Sequence, residues 1–427
     1  MIRPGLLQRT LVMSLGAAIG VAVPPAAGGA PSFPTPEAYL RYLGPYPDED
    51  DDSDYGSEAN GITHDDGNWY ITHNSYGVRL WRVPVSVPLA DLSSSHPLVT
   101  VTSINQMDNG SENLGDLGYN HYGDLGHYSY AGTDYLLIGM SGGPCAAVIA
   151  VRCVGGEFDY LDRACINTVS GGLQPSSPWC DVGPSGFLYS SNFGWADGRA
   201  IDNAASHIRK YQVDWARLYT HGELDLTLVE SIQVKSETGF ARPLFHVQGG
   251  AVTPSGKVLY IGCGYTKNRQ ASWGLHAIEI TGDRGKNGWT LRQSADGHGL
   301  FNFSIYDDPA DSEMEGITIW DLDDGRAQGI RGQLHALVLD NDTFNDDDIS
   351  IRHYGGSVYV DSHEASGNGK VDDPYPTVGE ANNLVSDPDD PWNGAVLRID
   401  GGNYPESITF DTQVEVVAPG TDANIGE

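Results

Sequence analysis

Basic side chains are scarce in this chain of 427 residues, because 24 Lys and Arg face 57 Asp and Glu, for a formal net charge of −33. A protein this acidic repels phosphate backbones, so we expect no nucleic-acid partner. An anionic membrane surface is disfavoured for the same reason. Net charge says nothing about fold, which has to come from residue patterns.

Cysteine is also scarce, with five in the chain. Four of the five lie in one part of the sequence, at Cys145, Cys153, Cys165 and Cys180. No C-x-x-C pair occurs, which argues against a zinc site. In an exported chain, four clustered cysteines predict two disulfides, with three alternative pairings. Cys263 ends an apolar strand pattern, which predicts a buried free thiol.

Apolar runs long enough to span a membrane are missing after the amino terminus. There, Arg3 and Arg9 precede the apolar stretch Leu11–Val23, and Gly28–Ala30 offers small residues for cleavage. This pattern predicts a signal peptide over residues 1–30 and a secreted protein with no membrane span after cleavage. The alternative is a membrane anchor, although two prolines end the run early.

Nucleotide-binding motifs are missing as well, since neither a Walker loop nor a dinucleotide fingerprint occurs. Gly139–Gly143 matches G-x-S-x-G in letters. The serine elbow needs a helix after it, whereas Ala146–Val151 has the pattern of a strand. The sequence therefore does not indicate a serine hydrolase of that kind.

What the chain has in abundance is glycine and aromatic residues, with 54 Gly, 22 Tyr and 9 Trp, which suits short strands joined by turns. A short motif, followed by an aromatic-rich strand and an apolar strand, recurs every 57 to 70 residues, and four of its five copies contain glycine. The motifs are Asn60-Gly61-Ile62, Tyr122-Gly123-Asp124, Trp179-Cys180-Asp181, Gly249-Gly250-Ala251 and Glu315-Gly316-Ile317. One four-stranded sheet per repeat predicts an all-β, five-bladed β-propeller over residues 55–356. A sixth blade is the alternative if Glu279–Phe303 holds extra strands.

Residues 31–54 precede the propeller. Thr35 is a helix-capping residue and Gly44-Pro45 a stop signal, which predicts a short helix between them. We expect its apolar face to pack on the propeller; that face consists of Tyr39, Leu40 and Leu43. The acidic stretch Asp48–Asp54 is interpreted as a solvated linker, with a calcium-binding loop as the alternative.

Residues 357–427 change character. Thr377–Glu380 has the pattern of a capping box before a short helix, and strand patterns lie on both sides of it. This order resembles the first coil of a right-handed parallel β-helix of the pectin-lyase-like kind, in which a capping helix precedes the first coil. Gly402–Glu406 resembles the G-x-Y-x-E turn of those proteins.

The repeat motifs also predict the functional site, because residues beside the glycines should face the central pocket of a propeller. The candidates are Glu58, Asn60, His121, Asp124, Asp181, His246, Glu313 and Glu315. Asp124, Glu313 and Glu315 are the candidate catalytic acids and bases for glycoside hydrolysis. The candidate ligand-binding residues are Asn60, His121, Asp181 and His246. Alternatively, the two glutamates hydrogen-bond the backbone of a neighbouring blade.

Two resemblances bear on this site. The layout resembles that of five-bladed arabinanase-type hydrolases. Glu313–Ile317 resembles an inner-strand motif of phytase-like and lactonase-like propellers, which hold calcium centrally. This second resemblance implies calcium as a cofactor.

Two further patterns predict metal sites. His121, Asp124 and His127 could hold a metal only if the strand bends, since strand alternation puts Asp124 on the opposite face. A loop rich in oxygen ligands predicts a surface calcium site, with plain solvation as the alternative. Its candidate ligands are Asp340, Asp342 and Asp346.

Taken together, the patterns predict a secreted monomer that binds an extracellular ligand at its axial face. Among the possible ligands, the patterns favour a saccharide. Aromatic rings would stack on the sugar; the candidates are Trp69, Trp81, Trp195 and Trp273. One alternative is a glycoside hydrolase or a calcium-dependent phosphoesterase-like hydrolase that uses the axial carboxylates. Another is a platform that binds an extracellular protein.

Overall fold

The structure is a computed structural model. It describes residues 41–48, 53–56, 58–74, 78–119, 121–166, 176–194, 207–235, 241, 244–254, 256–264, 274–280, 287–290, 302–303, 312–322, 325–340, 348–355, 357–363, 366, 374–386, 396–399, 402–410, 416–417 and 423–426. The chain divides into two compact units, Tyr42–Tyr354 and a second that contains Gly355–Glu427, and each is described by itself.

The first unit is a five-bladed β-propeller whose strands follow the predicted repeats. Strand β1 (Arg41–Pro45) comes first. Blade 1 holds β2 (Ala59–His64), β3 (Asn68–His73), β4 (Arg79–Pro84) and β5 (Thr100–Ser103). After two short 3-10 turns, Ile104–Gln106 and Gly115–Leu117, blade 2 holds β6 (His121–Tyr130), β7 (Thr133–Ser141), β8 (Ala147–Val154) and β9 (Glu157–Cys165).

The remaining blades have the same antiparallel plan. Blade 3 holds β10 (Cys180–Val182), β11 (Phe187–Ser190), β12 (His207–Val213), helix α1 (Trp215–His221) and β13 (Leu226–Lys235). Blade 4 holds β14 (Val247–Val252), β15 (Val258–Cys263), β16 (Gly274–Glu279), β17 (Asn287–Thr290) and β18 (Asn302–Phe303). Blade 5 holds β19 (Ser312–Ile319), β20 (Leu334–Asp340) and β21 (Asp348–Gly355).

The inner strands close into a ring. Going round, β2, β6, β10, β14 and β19 each pack on the next, and β19 returns to β2. A sixth blade was the alternative if Glu279–Phe303 held extra strands. This stretch contains β17 and β18, which both pair with β16 of blade 4. Strand β17 also pairs in parallel with β13 of blade 3, so five blades account for the described strands of the first unit.

Strand β1 completes blade 5 as its outermost strand, in the order β1-β21-β20-β19. Tyr46 N–H donates to the Ile351 carbonyl at 2.9 Å, and Ile351 N–H donates to the Pro47 carbonyl at 3.1 Å. The predicted helix is therefore wrong for residues 41–45; Thr35, Tyr39 and Leu40 lie outside the described residues. By pairing with the edge of β21, the backbone of β1 forms hydrogen bonds that it would otherwise lack. This tertiary pairing outweighs the local helix signals in the sequence.

Large aromatic residues fill the layers between the blades. Trp69 and Trp81 are fully buried in the layer shared by blades 1 and 5, where Trp69 packs edge-on against Trp320. Both tryptophans belong to the core, so the prediction that they stack on sugar is wrong. Trp195 and Trp273 lie outside the described residues.

One of the two predicted disulfides is present, between Cys145 in the turn after β7 and Cys165 at the end of β9. The second is absent, since Cys153 and Cys180 are free thiols on strands of different blades. Cys180 is buried, and its Sγ donates to the Leu137 carbonyl at 3.1 Å. The prediction of a buried free thiol at Cys263 is confirmed.

The second unit contains β22 (Ser357–Val360), α2 (Val378–Ser386), β23 (Val396–Ile399), β24 (Gly402–Tyr404), β25 (Val416–Val417) and β26 (Ala423–Ile425). Strands β22, β23 and β25 form one parallel sheet, and β24 and β26 a second parallel pair. The threonine half of the predicted capping box is present, because Thr377 Oγ1 accepts the Glu380 N–H at 3.2 Å. The Glu380 carboxylate accepts the Thr377 hydroxyl at 3.0 Å. That this unit begins a β-helix stays a prediction.

Glu406 supports the same helix. Its carboxylate accepts the backbone N–H groups of Val378 at 3.0 Å and Gly379 at 2.8 Å. These are donors of the first turn, which have no partner within the helix. In the part of the chain described here, no helix is both long and apolar enough to cross a membrane.

Candidate functional site

All five blades contribute side chains to one axial cavity of about 530 Å³. This volume lies within the range of about 300–1,000 Å³ that is usual for small-ligand sites. The residues that line it come from inner strands, from second strands and from loops beside them: Glu58, Asn60, Asn74, His121, Ser141, Gly142, Ser176, Pro178, Phe193, Gln248, Glu313, Glu315 and Leu339.

A β-bulge at an equivalent position of three inner strands provides the central polar groups. Between successive paired residues, Asn60 in β2, Gln248 in β14 and Glu315 in β19 are each left without an opposite partner. A bulge of this kind bends the strand and re-aims the side chain of the extra residue. We call Asn60, Gln248 and Glu315 the polar trio.

The polar trio is joined by hydrogen bonds across the axis. Asn60 Nδ2 donates to Glu315 Oε2 at 3.1 Å, and Gln248 Nε2 donates to Glu315 Oε1 at 2.5 Å. Burial, reinforced by the nearby charge of Glu313, raises the pKa of the Glu315 carboxyl well above its usual range, while the two amides oppose that rise. The site therefore favours a neutral acid at Glu315 beside a second carboxyl group.

Strained backbone and a neutral imidazole complete this part of the wall. Glu58, which lines the cavity, and His246 both have left-handed backbone, with φ of 59° and 51°. Such conformations cluster at functional sites. Burial lowers the pKa of His121, which favours its neutral form. Asn74 Nδ2 lies 3.4 Å from His121 Nδ1 and donates to the Tyr122 carbonyl at 3.1 Å.

Asp124 does not line the cavity, and its side chain is fully buried among backbone amides. It accepts the N–H groups of Ile62 at 2.9 Å, Gly250 at 3.2 Å and Ile317 at 3.0 Å. Burial raises the pKa of Asp124 well above its usual range, and these hydrogen bonds work in the opposite direction. The structure thus separates Asp124 from Glu313 and Glu315, the other predicted catalytic residues.

The predicted ligand-binding residues divide in the same way. Asn60 and His121 line the cavity, whereas Asp181 and His246 do not. Asp181 Oδ2 accepts the N–H of Val252 at 2.6 Å, and burial raises the pKa of this carboxyl to about 6. The His246 ring stacks on Phe193 at 4.9 Å between centroids, so it supports a residue of the wall.

The predicted metal ligands do not converge. His127 Nε2 pairs with Asp134 at 3.1 Å, while Asp124 is held by backbone amides, so the site with His121 is wrong. Among the described residues, no group of three or more His, Cys, Asp or Glu side chains could hold a metal. Asp340 lies in β20, but Asp342 and Asp346 lie outside the described residues, so the surface calcium site stays a prediction.

Gln248 is the main residue that the sequence reasoning missed. The predicted blade 4 motif, Gly249-Gly250-Ala251, begins one residue too late. Matching on the residue before the first glycine would have placed Gln248 with Asn60 and Glu315. Asn74 and Ser141, at the ends of second strands, follow no repeated pattern.

No protein-family model and no curated protein matches this chain. Solved structures do match. A GH43_1 enzyme from Xanthomonas citri, complexed with xylotriose, is 12% identical with a TM-score of 0.37, over 70% of this chain and 86% of that one. A gluconolactonase from Xanthomonas campestris is 12% identical with a TM-score of 0.33, over 71% and 78%. An enzyme described as a 6-phosphogluconolactonase from Bacteroides fragilis is 16% identical with a TM-score of 0.28, over 54% and 67%. No residue role is transferred from these proteins.

Proposed function

We propose that the propeller binds a neutral saccharide in the axial cavity. The observation that carries this proposal is the convergence of carboxyl, amide, hydroxyl and imidazole groups from all five blades on one cavity. Sugar hydroxyls donate and accept hydrogen bonds, and these groups provide both kinds of partner. Phe193 adds a ring face of the kind that packs on apolar surface.

Charge favours a neutral ligand over an anionic one. Among the described residues, the cavity wall contains Glu58, Glu313 and Glu315 but no Lys or Arg. The whole chain carries −33, so the surrounding potential also opposes phosphorylated or uronic sugars. The polar wall likewise favours a saccharide over an apolar protein surface as the occupant.

The protein is proposed to act outside the cell as a monomer. The signal-like pattern over residues 1–30 supports export, although those residues lie outside the described part of the chain. The Cys145–Cys165 disulfide supports the same compartment, because disulfides persist in oxidising surroundings.

Calorimetric titration with neutral and acidic oligosaccharides tests this function. We expect a neutral oligosaccharide to bind. Gln248→Ala should weaken binding about two- to tenfold through loss of one hydrogen bond to a sugar hydroxyl, and the exposed Gln212→Ala should change nothing. The proposal fails if no saccharide binds, or if Gln248→Ala binds as tightly as the unaltered protein.

A second candidate function is glycoside hydrolysis, favoured by the Glu313 and Glu315 pair. Because the pKa of Glu315 is raised next to a second carboxyl group, one group is suited to act as acid and the other as base or nucleophile. Incubation with the same oligosaccharides should then release new reducing ends, and Glu315→Gln should abolish that release. Binding without any release would leave the binding function alone.

A further inference from the structure

Three of the backbone N–H groups that hydrogen-bond Asp124 come from three other blades. They belong to Ile62 of blade 1, Gly250 of blade 4 and Ile317 of blade 5, and we call them the amide clasp. The inner strand of each blade has one edge without a neighbouring strand, and a buried N–H on that edge needs an acceptor. Asp124, from blade 2, is that acceptor for all three.

The amide clasp and the polar trio are in register. Each residue of the amide clasp follows one member of the polar trio by two positions, in the pairs Asn60 with Ile62, Gln248 with Gly250 and Glu315 with Ile317. The bulge interrupts the regular alternation of side chains at each trio residue, but two residues of chain span at most about 7 Å. Fixing one N–H therefore fixes the height of the trio residue on that strand. In blade 2, the motif Tyr122-Gly123-Asp124 places Asp124 itself at the position that the clasp residues occupy in the other three blades.

We propose that Asp124 is a positioning residue of the axial cavity: its carboxylate holds three inner strands at one height and thereby brings the polar trio together. The close approach of the strands supports this role. A Cβ on Gly316 would lie 2.8 Å from Gly61 Cα and 2.9 Å from Asp124 Oδ1, so only glycine lets the strands meet around the carboxylate. The role deepens the proposed saccharide function, but the arrangement of the polar trio is measurable without any saccharide.

Asp124→Asn is the direct test. The change replaces one carboxylate oxygen by an NH2 group, which cannot accept the N–H groups that face it. The measurement is hydrogen exchange of the Asn60 and Gln248 side-chain NH2 groups by NMR. We expect exchange about tenfold faster in the variant, as loss of one or more buried hydrogen bonds at the Asp124 side chain predicts. Unchanged exchange in a folded Asp124→Asn protein would overturn the proposal.

The matched control is Asp65→Asn. Asp65 also accepts backbone N–H groups, those of Gly67 at 2.6 Å and Asn68 at 2.7 Å, but it lies in the turn after β2 and does not line the cavity. A general loss of stability would affect both variants, whereas faster NH2 exchange should be confined to Asp124→Asn. Equally accelerated exchange in Asp65→Asn would also count against a positioning role.

If Asp124→Asn does not fold, the unaltered protein provides a second test. As denaturant is raised, the amide clasp and the trio NH2 groups should lose protection in the same opening event. Exchange of the NH2 groups in an opening that leaves the amide clasp protected would overturn the proposal. Failure of every saccharide to bind would end the proposed function and leave this exchange result intact, so the two failures are distinguishable.

Discussion

Asn60 Nδ2 lies 3.1 Å from Glu315 Oε2, although 255 residues separate the two in the sequence. The contact joins the inner strand of blade 1 to that of blade 5, which meet where the ring closes. The cavity therefore depends on closure of the ring, and β1, which precedes blade 1 in the chain, completes blade 5 as its outermost strand. Ligand binding and integrity of the ring should be lost together.

Gly316→Ala should destabilise the propeller. A Cβ at this position would lie 2.8 Å from the backbone atoms Gly61 Cα and Ile62 N, which cannot move away without separating blades 1 and 5. We expect a loss of about 1–3 kcal/mol in the free energy of unfolding, as is usual for overpacking. Denaturant titration measures it.

Gly67→Ala is the control for this prediction, since the nearest atom to its added Cβ is a side-chain oxygen at 3.8 Å. We expect a clearly smaller change there. Equal stability losses in the two variants would contradict the crowding at the axis.

Glu315→Gln should change how stability depends on pH. Because burial raises the pKa of Glu315 in the folded state, the folded protein binds more protons than the unfolded chain above the ordinary glutamate pKa. This group therefore costs stability progressively as pH rises from about 4 toward its raised pKa. The variant lacks that cost, so its stability relative to the unaltered protein should increase with pH.

Melting curves between acid and slightly alkaline pH check this sign. A flat difference for Glu315→Gln would mean that the carboxyl is not held in a pKa-raising environment.

Replacing Cys145 and Cys165 together by Ala should lower the free energy of unfolding by about 3 kcal/mol, as expected for a loop of this size. The two cysteines are 20 residues apart, and their bond reduces the conformational entropy of the unfolded chain. A thiol reductant should lower the melting temperature of the unaltered protein but not that of the double variant. Cys153→Ala replaces a free thiol, so the melting temperature of this variant should still fall with reductant. A Cys153→Ala protein that is insensitive to reductant would contradict the Cys145–Cys165 pairing.

Glu406→Ala should loosen the start of α2. The substitution removes the acceptor of the Val378 and Gly379 N–H groups and a negative charge near the helix N-terminus. We expect these two amides to exchange with solvent about tenfold faster, as loss of a cap worth about 1 kcal/mol or more predicts. Asn383→Ala, on the exposed face of the same helix, should leave them protected. Unchanged exchange in Glu406→Ala would show that the capping box alone holds the helix start.

The sequence predicted the five blades well because the repeat is local. Each glycine motif is followed within a few residues by its own strands, and the motif around Trp179 proved to be a blade although it lacks the glycine. Ring closure by residues 41–45 was not predictable in this way. Their partner strand begins at Asp348, and nothing in the local pattern specifies an edge that distant.

The site was predicted in part for the same reason. Asn60, Glu313 and Glu315 were found beside the repeat glycines, and they do line the cavity. Asp124 was found by the same rule, yet its partners are backbone N–H groups, which every residue but proline carries. Residue types therefore could not distinguish a carboxylate in the wall from one that ties the strands together.

A crystal structure determined after soaking with the tightest-binding neutral oligosaccharide would test the central claim most directly. The account predicts sugar density inside the axial cavity, in hydrogen-bond contact with Glu313 and with members of the polar trio. Sugar bound only on the outer surface of the blades, with an axial cavity that excludes it, would contradict the account.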